Sequence, residues 1–469
     1  MMPFRRLPCA WSIVLAIAAS NGAFAATPDL PALWAERVKS VVAVEYVTVT
    51  ETERRPTVSM GTVVDAAGTI ILQSVAIDPR AALRQLKDFR VYLPGDGAGA
   101  PADYLGQDAF TGWHFVRAGE ETRARLTPVT AFAGPGEPRR PAIAEAVWGI
   151  GLRPKDEDFQ PYILRSSVAL LQAIPQLTAI AQQEVAAPGL PVFDLQGGLV
   201  GLAGPSGGQT FLQISRTGRP VPTMLINVEE SSAFLVAAEV LPHLGRIPRD
   251  PSGRPLAWLG TYGLEPMDRE VAKFLNLQSQ SGAVVSEVLE GSPAEAAGLK
   301  PRDIVLALDG APLPQLKPDR AVVAFLEREV ERRAPGEKFA LTVLRGTERV
   351  EIAVTLGEQP KLAREAERRF FDRLGFTARE PVYADAVERR QRPGVLAGVV
   401  AHFVKAGSPA ATAGLRPDDW VREIDGAEVK EFAEATTRLA AIESDAERAE
   451  FVLLVARGNE TAVLRVKLK

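Results

Sequence analysis

Short apolar runs separated by turn-forming residues dominate positions 36–245 of the chain. The runs are rich in valine, isoleucine, leucine and aromatic residues, and glycine, proline and aspartate interrupt them. Such runs predict β-strands, and their close spacing is typical of a barrel or a sandwich. Beyond position 255, strand-like runs alternate with two amphipathic segments that predict helices, DRAVVAFLEREVERR (319–333) and EFAEATTRLAAIES (431–444).

The C-terminal half contains an internal repeat. The segment GSPAEAAGLKPRDIVLALDG at 291–310 returns as GSPAATAGLRPDDWVREIDG at 407–426, which is 116 residues later. A second pair follows, FALTVLRG at 339–346 and FVLLVARG at 451–458. Two copies of one module of about 100 residues therefore fill this half.

Each copy carries the signals of a short helix. Ser292 and Ser408 are expected to cap its N-terminus ahead of a proline in the first turn, and Gly298 and Gly414 to end it. A strand then closes in an Asp-Gly turn. Asp303 and Asp419 precede this strand at the same repeat position, so we expect them to stabilise a turn and not to act as a catalytic pair.

The repeated segments resemble the PDZ domains of the bacterial HtrA (Deg) type of serine protease. The resemblance implies α+β PDZ domains at 256–357 and 370–469, which bind C-terminal or extended segments of other proteins as an added strand. It also implies a loop in each domain that holds the peptide carboxylate with inward-facing amides. These loops are Leu259, Gly260 and Thr261 in the first domain and Leu374, Gly375, Phe376 and Thr377 in the second.

The amphipathic helices are the expected second wall of each peptide groove. The side chains at issue are Val322, Val323 and Phe325 or Leu326 in the first copy and Phe432, Ala435 and Leu439 in the second. The same residues could instead only face the core, and the sequence leaves both interpretations open.

The N-terminal half resembles the protease domain of the same family. The matching segments are MGTVVDAAGTIIL (60–72), YLGQDAFTGWHFVRA (104–118) and LPVFDLQGGLVGLAG (190–204). The resemblance implies a chymotrypsin-like double β-barrel at 26–247, so the whole chain is predicted to be mainly β. A turn-rich linker, 248–255, precedes the first repeat, and a charged connector at 356–369, predicted helical, precedes the second.

The catalytic positions depart from the family pattern. Val75, Gly112 and Pro188 stand where the family's motifs place histidine, aspartate and serine. A serine hydroxyl needs a neighbouring base, which in turn needs an orienting group, and none of these three residues can fill such a role. This comparison predicts no catalytic residues and a protein that is not an enzyme, in other words a pseudoprotease.

Two other interpretations stay open. The run Gly204-Pro205-Ser206-Gly207-Gly208 is expected to be a turn, but Ser206 with His114 could form a rearranged serine endopeptidase site. His114, His243 and His402 are otherwise expected to be structural or surface residues. The chain could also be a regulatory subunit that co-assembles with an active HtrA-like protease, or a homotrimer.

The N-terminus and the composition indicate the cellular location and the kinds of ligand to expect. Residues 1–25 carry Arg5 and Arg6, an apolar run at 9–19 and Ala23-Phe24-Ala25, which predicts a signal peptide and a periplasmic or secreted protein with no membrane span after cleavage. The 469 residues carry a net charge of −4 and one cysteine, Cys9, so we expect neither nucleic-acid binding nor a disulfide, metal or other cofactor site. The leading hypothesis is a non-catalytic adaptor, regulator or holdase in envelope protein quality control.

Overall fold

The structure is a computed structural model of the 469-residue chain. It describes residues 29–73, 81–173, 176–205, 209–214, 220–225, 230–249, 251, 253, 255–277, 280–389, 396–458 and 460–468. The predicted signal peptide, Val75 and Ser206 lie outside the described residues.

Helix α1 (Leu30–Arg37) leads into a closed six-stranded antiparallel barrel. Its strands are paired in the order β1-β2-β3-β6-β5-β4, and β4 closes the barrel on β1. Alternate side chains of these strands fill the interior, as in Val42 and Val44 of the first strand, both fully buried. The strands are β1 (Val41–Val49), β2 (Arg54–Val63), β3 (Thr69–Leu72), β4 (Leu86–Tyr92), β5 (Ala100–Gln107) and β6 (His114–Ala118).

Helix α2 (Glu120–Arg123) precedes a second closed barrel, with strand order β10-β11-β14-β9-β8-β7. Trp148, Phe193 and Phe234 fill its core, and the Trp148 indole donates to the Asp194 carbonyl at 2.7 Å. A separate two-stranded ribbon, β12–β13, comes between its strands β11 and β14 in the chain, and helix α3 (Ala237–Val240) follows its last strand. The strands are β7 (Ala146–Leu152), β8 (Pro161–Gln172), β9 (Thr178–Ala181), β10 (Pro191–Asp194), β11 (Leu199–Ala203), β12 (Gln209–Ile214), β13 (Pro220–Leu225) and β14 (Ala233–Val236).

The first repeat folds into an α+β module around its own core. Its main sheet has the order β17-β18-β20-β22-β23, with β21 beside β20, and the short pairs β15–β24 and β16–β19 flank it. The elements are β15 (Ala257–Trp258), β16 (Thr261–Tyr262), β17 (Glu265–Pro266), α4 (Arg269–Phe274), β18 (Ala283–Val284), β19 (Glu287–Val288), α5 (Pro293–Ala296), β20 (Ile304–Leu308), β21 (Ala311–Pro312), α6 (Ala321–Glu331), β22 (Lys338–Arg345), β23 (Glu348–Thr355) and β24 (Gly357–Glu358).

The second repeat forms a matching module with one continuous sheet. The strand order is β25-β26-β27-β28-β30-β31, with β29 beside β28. The elements are β25 (Arg368–Phe371), β26 (Phe376–Arg379), α7 (Tyr383–Glu388), β27 (Val399–Val404), α8 (Pro409–Thr412), β28 (Trp420–Ile424), β29 (Ala427–Glu428), α9 (Phe432–Ser444), β30 (Glu450–Arg457) and β31 (Glu460–Lys467). The predicted mainly β class, with a double barrel followed by two α+β modules, is confirmed.

The local signals of the repeat act as the sequence predicts. Ser292 accepts a hydrogen bond from the Glu295 N–H and caps α5, and Ser408 caps α8 through the Ala411 N–H. The connector 356–369, in contrast, is not helical. Its two ends form β24 and β25, because each end pairs with a strand edge and thereby satisfies its backbone groups.

A buried ion pair recurs at the same place in both modules. Asp303 is 1% exposed, accepts the Lys300 N–H at 2.8 Å and holds the Arg345 guanidinium with both carboxylate oxygens. Asp419 makes the same contacts with the Arg416 N–H and with Arg457. Each pair joins the turn between the capped helix and the following strand to the arginine of the last hairpin, so these aspartates stabilise turns as expected.

Replacing Arg345 by methionine should destabilise the first module by roughly 2–3 kcal/mol, because the buried Asp303 carboxylate loses its cation. The measurement is amide hydrogen exchange of β20 in the full chain. Arg349→Met, on the exposed face of the neighbouring β23, is the control and should leave exchange unchanged. Equal exchange in the two variants would contradict the structural role of the pair.

Candidate functional site

The turn that contains Pro188 lies where the two barrels meet. The Thr62 hydroxyl of the first barrel donates to the Gly189 carbonyl at 2.7 Å, and the Gln73 amide donates to the Ala203 carbonyl at 2.7 Å. A Cβ on Gly189, whose φ is +86°, would lie 3.1 Å from the Met60 carbonyl oxygen. The structure thus brings the end of β3 and the Pro188 turn together across the interface.

The described backbone N–H groups of this turn donate hydrogen bonds to carbonyls of the protein itself. The Ala187 N–H bonds to Ile150, the Gly189 N–H to Ala203 and the Leu190 N–H to Ala187, at 2.8–3.0 Å, and proline has no N–H. Because Val75 and Ser206 lie outside the described residues, the structure gives no distance from this turn to either of them. The assignment of Val75, Gly112 and Pro188 to the catalytic positions stays a prediction.

Gly112 belongs to a tight turn built around a buried carboxylate. Its φ is +71°, and its N–H donates to the Asp108 carbonyl at 2.9 Å. Asp108 is fully buried and pairs with the Arg246 guanidinium at 2.9 Å. The sequence reasoning did not single out Asp108, whose partner lies 138 residues away. This ion pair ties the first barrel to the segment that leads into the first module.

His114 is enclosed in the first barrel. It is 2% exposed, and its Nδ1 lies 2.9 Å from the Tyr104 hydroxyl. Burial, with the nearby Arg364 charge, lowers the pKa of His114 to about 3. The ring is therefore neutral and a weak base at neutral pH. His243 packs edge-on to Phe110, and His402 contacts Arg368, in line with structural interpretations of these histidines.

The loop of the first module needs its glycine. Gly260 has a φ of +85°, and a Cβ there would lie 2.1 Å from the Ser292 Cβ. The Leu259 carbonyl accepts the Ala294 N–H, and the Gly260 carbonyl accepts the Leu289 N–H, both at 2.9 Å. These bonds fix the carbonyls of the loop against α5 and β19.

The edge of the sheet beside this loop is open. Among the described residues, β16 has β19 as its one strand partner, and Thr261 of β16 lines a cavity together with residues of α6. The cavity has a volume of about 220 Å³. It is lined by the loop, by one side of α6 and by neighbouring residues: Leu256, Ala257, Trp258, Leu259, Gly260, Thr261, Leu264, Leu326, Glu327, Val330, Glu331 and Gln359.

The corresponding edge of the second module is occupied by its own chain. Strand β25 pairs with β26 along its length, from Phe371 opposite Phe376 to Arg368 opposite Arg379. Helix α9 contacts β25, which therefore lies between the sheet and the helix. Phe371 is fully buried, and its carbonyl accepts the Gly375 N–H at 2.7 Å.

A carboxylate of α9 also reaches this loop. The Glu443 side chain accepts the Arg373 N–H at 3.1 Å, and the Arg373 guanidinium bonds to the Glu443 and Asp445 carbonyls. Thr377, 1% exposed, donates to Glu51 of the first barrel at 2.9 Å. The structure thus brings together the residues predicted to bind a peptide, Leu374, Gly375, Phe376 and Thr377. The space beside them is occupied, however, by β25 and by the Glu443 side chain.

The residues of α6 that line the cavity differ in part from those that the sequence indicated. Leu326 lines the cavity, and so does Val330, which the sequence reasoning did not include. Val322 is 3% exposed and belongs to the module core, against which Val323 and Phe325 also pack. In the second module Ala435 and Leu439 are core residues with Phe432 packed against them.

Membrane-spanning helices and metal clusters are absent from the described part of the chain. No helix in it combines the length and the apolar character that crossing a membrane requires. No three histidine, cysteine, aspartate or glutamate side chains in it cluster closely enough to hold a metal ion.

The chain is similar to known families and proteins. The family model for the PDZ domain matches residues 263–356, and a second PDZ-domain family matches residues 404–457. The periplasmic pH-dependent serine endoprotease DegQ of Escherichia coli is 34% identical over 209 residues, 45% of this chain and 41% of DegQ. A probable periplasmic serine endoprotease, DegP-like, of Hahella chejuensis is 26% identical over 288 residues, 59% of this chain and 54% of that protein.

The chain is a homologue of the HtrA-type serine proteases and carries two PDZ domains. It spans about half the length of the curated relatives it matches. The solved structure of the HtrA-type protease AlgW with a tripeptide shares the fold, with a TM-score of 0.50 and 16% identity over 71% of this chain and 99% of that one. The first and second modules are named PDZ1 and PDZ2 below.

The expectation that this HtrA homologue is not an enzyme is wrong. The relatives that match it are named serine endoproteases. A match of single residues to a motif does not establish where a catalytic group lies in space, and Val75 lies outside the described residues.

Acidification should destabilise the first barrel through His114. Because the folded pKa, about 3, lies below the ordinary 6.5, the unfolded chain binds the proton more readily, and stability is lost as the pH falls below 6.5. The expected loss from this group is about 1.4 kcal/mol per pH unit between roughly 6 and 4. His114→Asn, which keeps an acceptor for Tyr104, should remove that share.

The measurement is hydrogen exchange of β6 in both proteins between pH 7 and pH 5, corrected for intrinsic exchange. His243 and His402, whose pKa values burial also lowers, are present in both proteins and cancel in the comparison. Identical pH slopes for the two proteins would contradict a neutral buried His114.

Proposed function

We propose that PDZ1 binds the C-terminal segments of other proteins and that PDZ2 is closed to them while β25 stays in place. The open β16 edge beside the cavity carries this proposal. An unpaired strand edge offers N–H and C=O groups to an extended peptide, which adds as a further strand. PDZ1 offers such an edge next to a loop whose glycine has a positive φ.

The proposed complex uses the residues around the cavity. The peptide strand pairs with β16, and its terminal carboxylate accepts N–H groups from Gly260 and Thr261. Its last side chain enters the cavity, where Leu259, Leu326 and Val330 provide apolar walls. An apolar last residue therefore suits this site best.

For PDZ2, a ligand has to compete with an intramolecular strand. It would replace the pairing of β25 with β26, the Phe371 side chain and the bond from the Gly375 N–H. The tethered strand has a high effective concentration, so a free peptide of similar sequence competes poorly. Peptide binding by Leu374, Gly375, Phe376 and Thr377 thus depends on the release of β25.

We further propose serine endopeptidase activity towards the proteins that PDZ1 captures, in the periplasm. The names of the relatives and the double barrel ahead of the PDZ domains support this second part. Ser206 is the nucleophile to test first, although the buried His114 is an unfavourable base for it. A role in protein quality control, alone or in an assembly with another HtrA-like protease, would follow from such capture and cleavage.

Peptide binding is tested on the full chain with two fluorescent decapeptides that share an apolar C-terminus, one with a free carboxylate and one amidated. The free acid should bind about tenfold or more tightly, because charge-assisted bonds to the loop amides are lost on amidation. Gly260→Glu should abolish binding, since the new side chain would overlap Ser292. The matched Gly375→Glu should leave the titration unchanged. Equal binding of the acid and the amide would overturn the PDZ1 proposal.

Endopeptidase activity is tested with unfolded casein and with a fluorophosphonate that labels reactive serines. We expect cleavage and labelling of a single serine, which mass spectrometry identifies, and their loss in Ser206→Ala if that residue reacts. Ser444→Ala, at the end of α9, is the control and should behave as the unaltered protein. Neither cleavage nor labelling in the correctly folded protein would refute this part of the proposal.

A further inference from the structure

Two carboxylates on α6 border the PDZ1 groove. Glu327 and Glu331 are one helical turn apart, and both line the cavity between α6 and the loop at Gly260. They are the two charged side chains of the described cavity lining. Like charges at this spacing disfavour a helix, so their common position has an energetic cost.

The surroundings of these carboxylates do not neutralise them. Burial raises the pKa of Glu331, and the Glu327 charge adds to the shift. Burial likewise raises the pKa of Glu327. The Arg328 charge lowers the pKa of Glu331 and so offsets part of this shift, but the Arg328 guanidinium also lies 3.9 Å from Glu239 and over the Phe110 ring of the first barrel.

An acidic groove wall has a definite consequence for a ligand that ends in a carboxylate. Both glutamates repel that carboxylate, so a peptide without a cationic side chain binds less well than the loop alone would allow. A cationic side chain of the peptide, placed beside α6, would remove the repulsion and supply the missing partner. The groove therefore distinguishes peptides by charge as well as by their last residue.

Strand geometry identifies the peptide position that can supply this cation. Side chains of an extended strand alternate between its two faces, so the last residue and the residue two before it point the same way. If the last side chain enters the cavity between β16 and α6, the side chain two before it also faces α6. The penultimate side chain points away.

We propose that PDZ1 selects C-terminal segments with an apolar last residue and a lysine or arginine two residues before it, through Glu327 and Glu331. This inference rests on the proposed function of PDZ1 as a peptide site. It adds the chemical class of the ligand and the residues that recognise it.

The test uses the full chain and four decapeptides that share an apolar last residue and a free carboxylate. One peptide has lysine two before the end, one has lysine at the penultimate position, one has alanine at both and one has glutamate two before the end. The first should bind about 3- to 10-fold more tightly than the alanine peptide, and the glutamate peptide more weakly than either. The penultimate lysine carries the same net charge and should gain less than twofold.

Variants assign the effect to the helix. In the double variant Glu327→Gln with Glu331→Gln, the preference for lysine should fall below twofold, and the alanine peptide should bind more tightly than to the unaltered protein. Glu329→Gln is the control, because Glu329 lies on the same helix, pairs with Arg332 at 3.3 Å and is outside the cavity lining. It should keep the full preference.

The outcomes separate this inference from the function it rests on. If none of the four peptides binds, PDZ1 is not a peptide site and the proposed function fails. If all four bind with equal affinity, PDZ1 binds peptides and the charge selection is wrong. If both lysine positions give the same gain, or if the double variant keeps the preference, recognition by Glu327 and Glu331 is overturned.

Discussion

The unpaired edge of a β-strand is the constraint on which the arrangement of this protein depends. An edge carries N–H and C=O groups without hydrogen-bond partners in the sheet. Proteins remove the edge by closing the sheet into a barrel, cover it with another segment, or use it to bind a further strand. The two N-terminal sheets remove their edges by closing into barrels. In PDZ2 the edge of β26 is covered by β25, whereas in PDZ1 the edge of β16 beside α6 has no strand on it among the described residues.

The two PDZ domains differ because of the residues just ahead of their loops. In PDZ1 these residues form β15, which pairs with β24 and not with β16, and its two residues line the cavity. In PDZ2 the residues Arg368–Phe371 fold back on β26, and Phe371 is part of the module core. The same loop glycine and the same capped helix therefore serve one open and one filled groove.

The sequence predicts the parts of this fold that depend on local chemistry. Ser292, Ser408 and the aspartates at 303 and 419 each accept a backbone N–H three residues away, so the local sequence is sufficient to predict these bonds, whereas the distant arginines that pair with the aspartates were not predicted. The strand β25 could not be predicted in this way, because its charged connector has a helix-like composition and its pairing is decided by an edge that becomes available only in the folded module.

The residues that line the PDZ1 groove are also hard to predict, because the sequence does not give the direction of each side chain. The helical period separates the apolar stripe of α6 from its polar side, but it does not say which glutamates turn towards a neighbouring groove. Glu327 and Glu331 become recognisable only when the loop at Gly260 lies opposite them.

The contacts between PDZ2 and the first barrel bear on how its groove could open. The connector carbonyl of Ala366 accepts the Arg84 guanidinium at 2.9 Å, and Thr377, next to the loop, bonds to Glu51. Displacing β25 moves the chain that carries the first contact and disturbs the strand that carries the second. A ligand of PDZ2 would therefore bind less tightly, because it has to displace β25 and also disturb these contacts with the barrel. By thermodynamic linkage, a bound ligand would in turn weaken the contacts between the barrel and the connector.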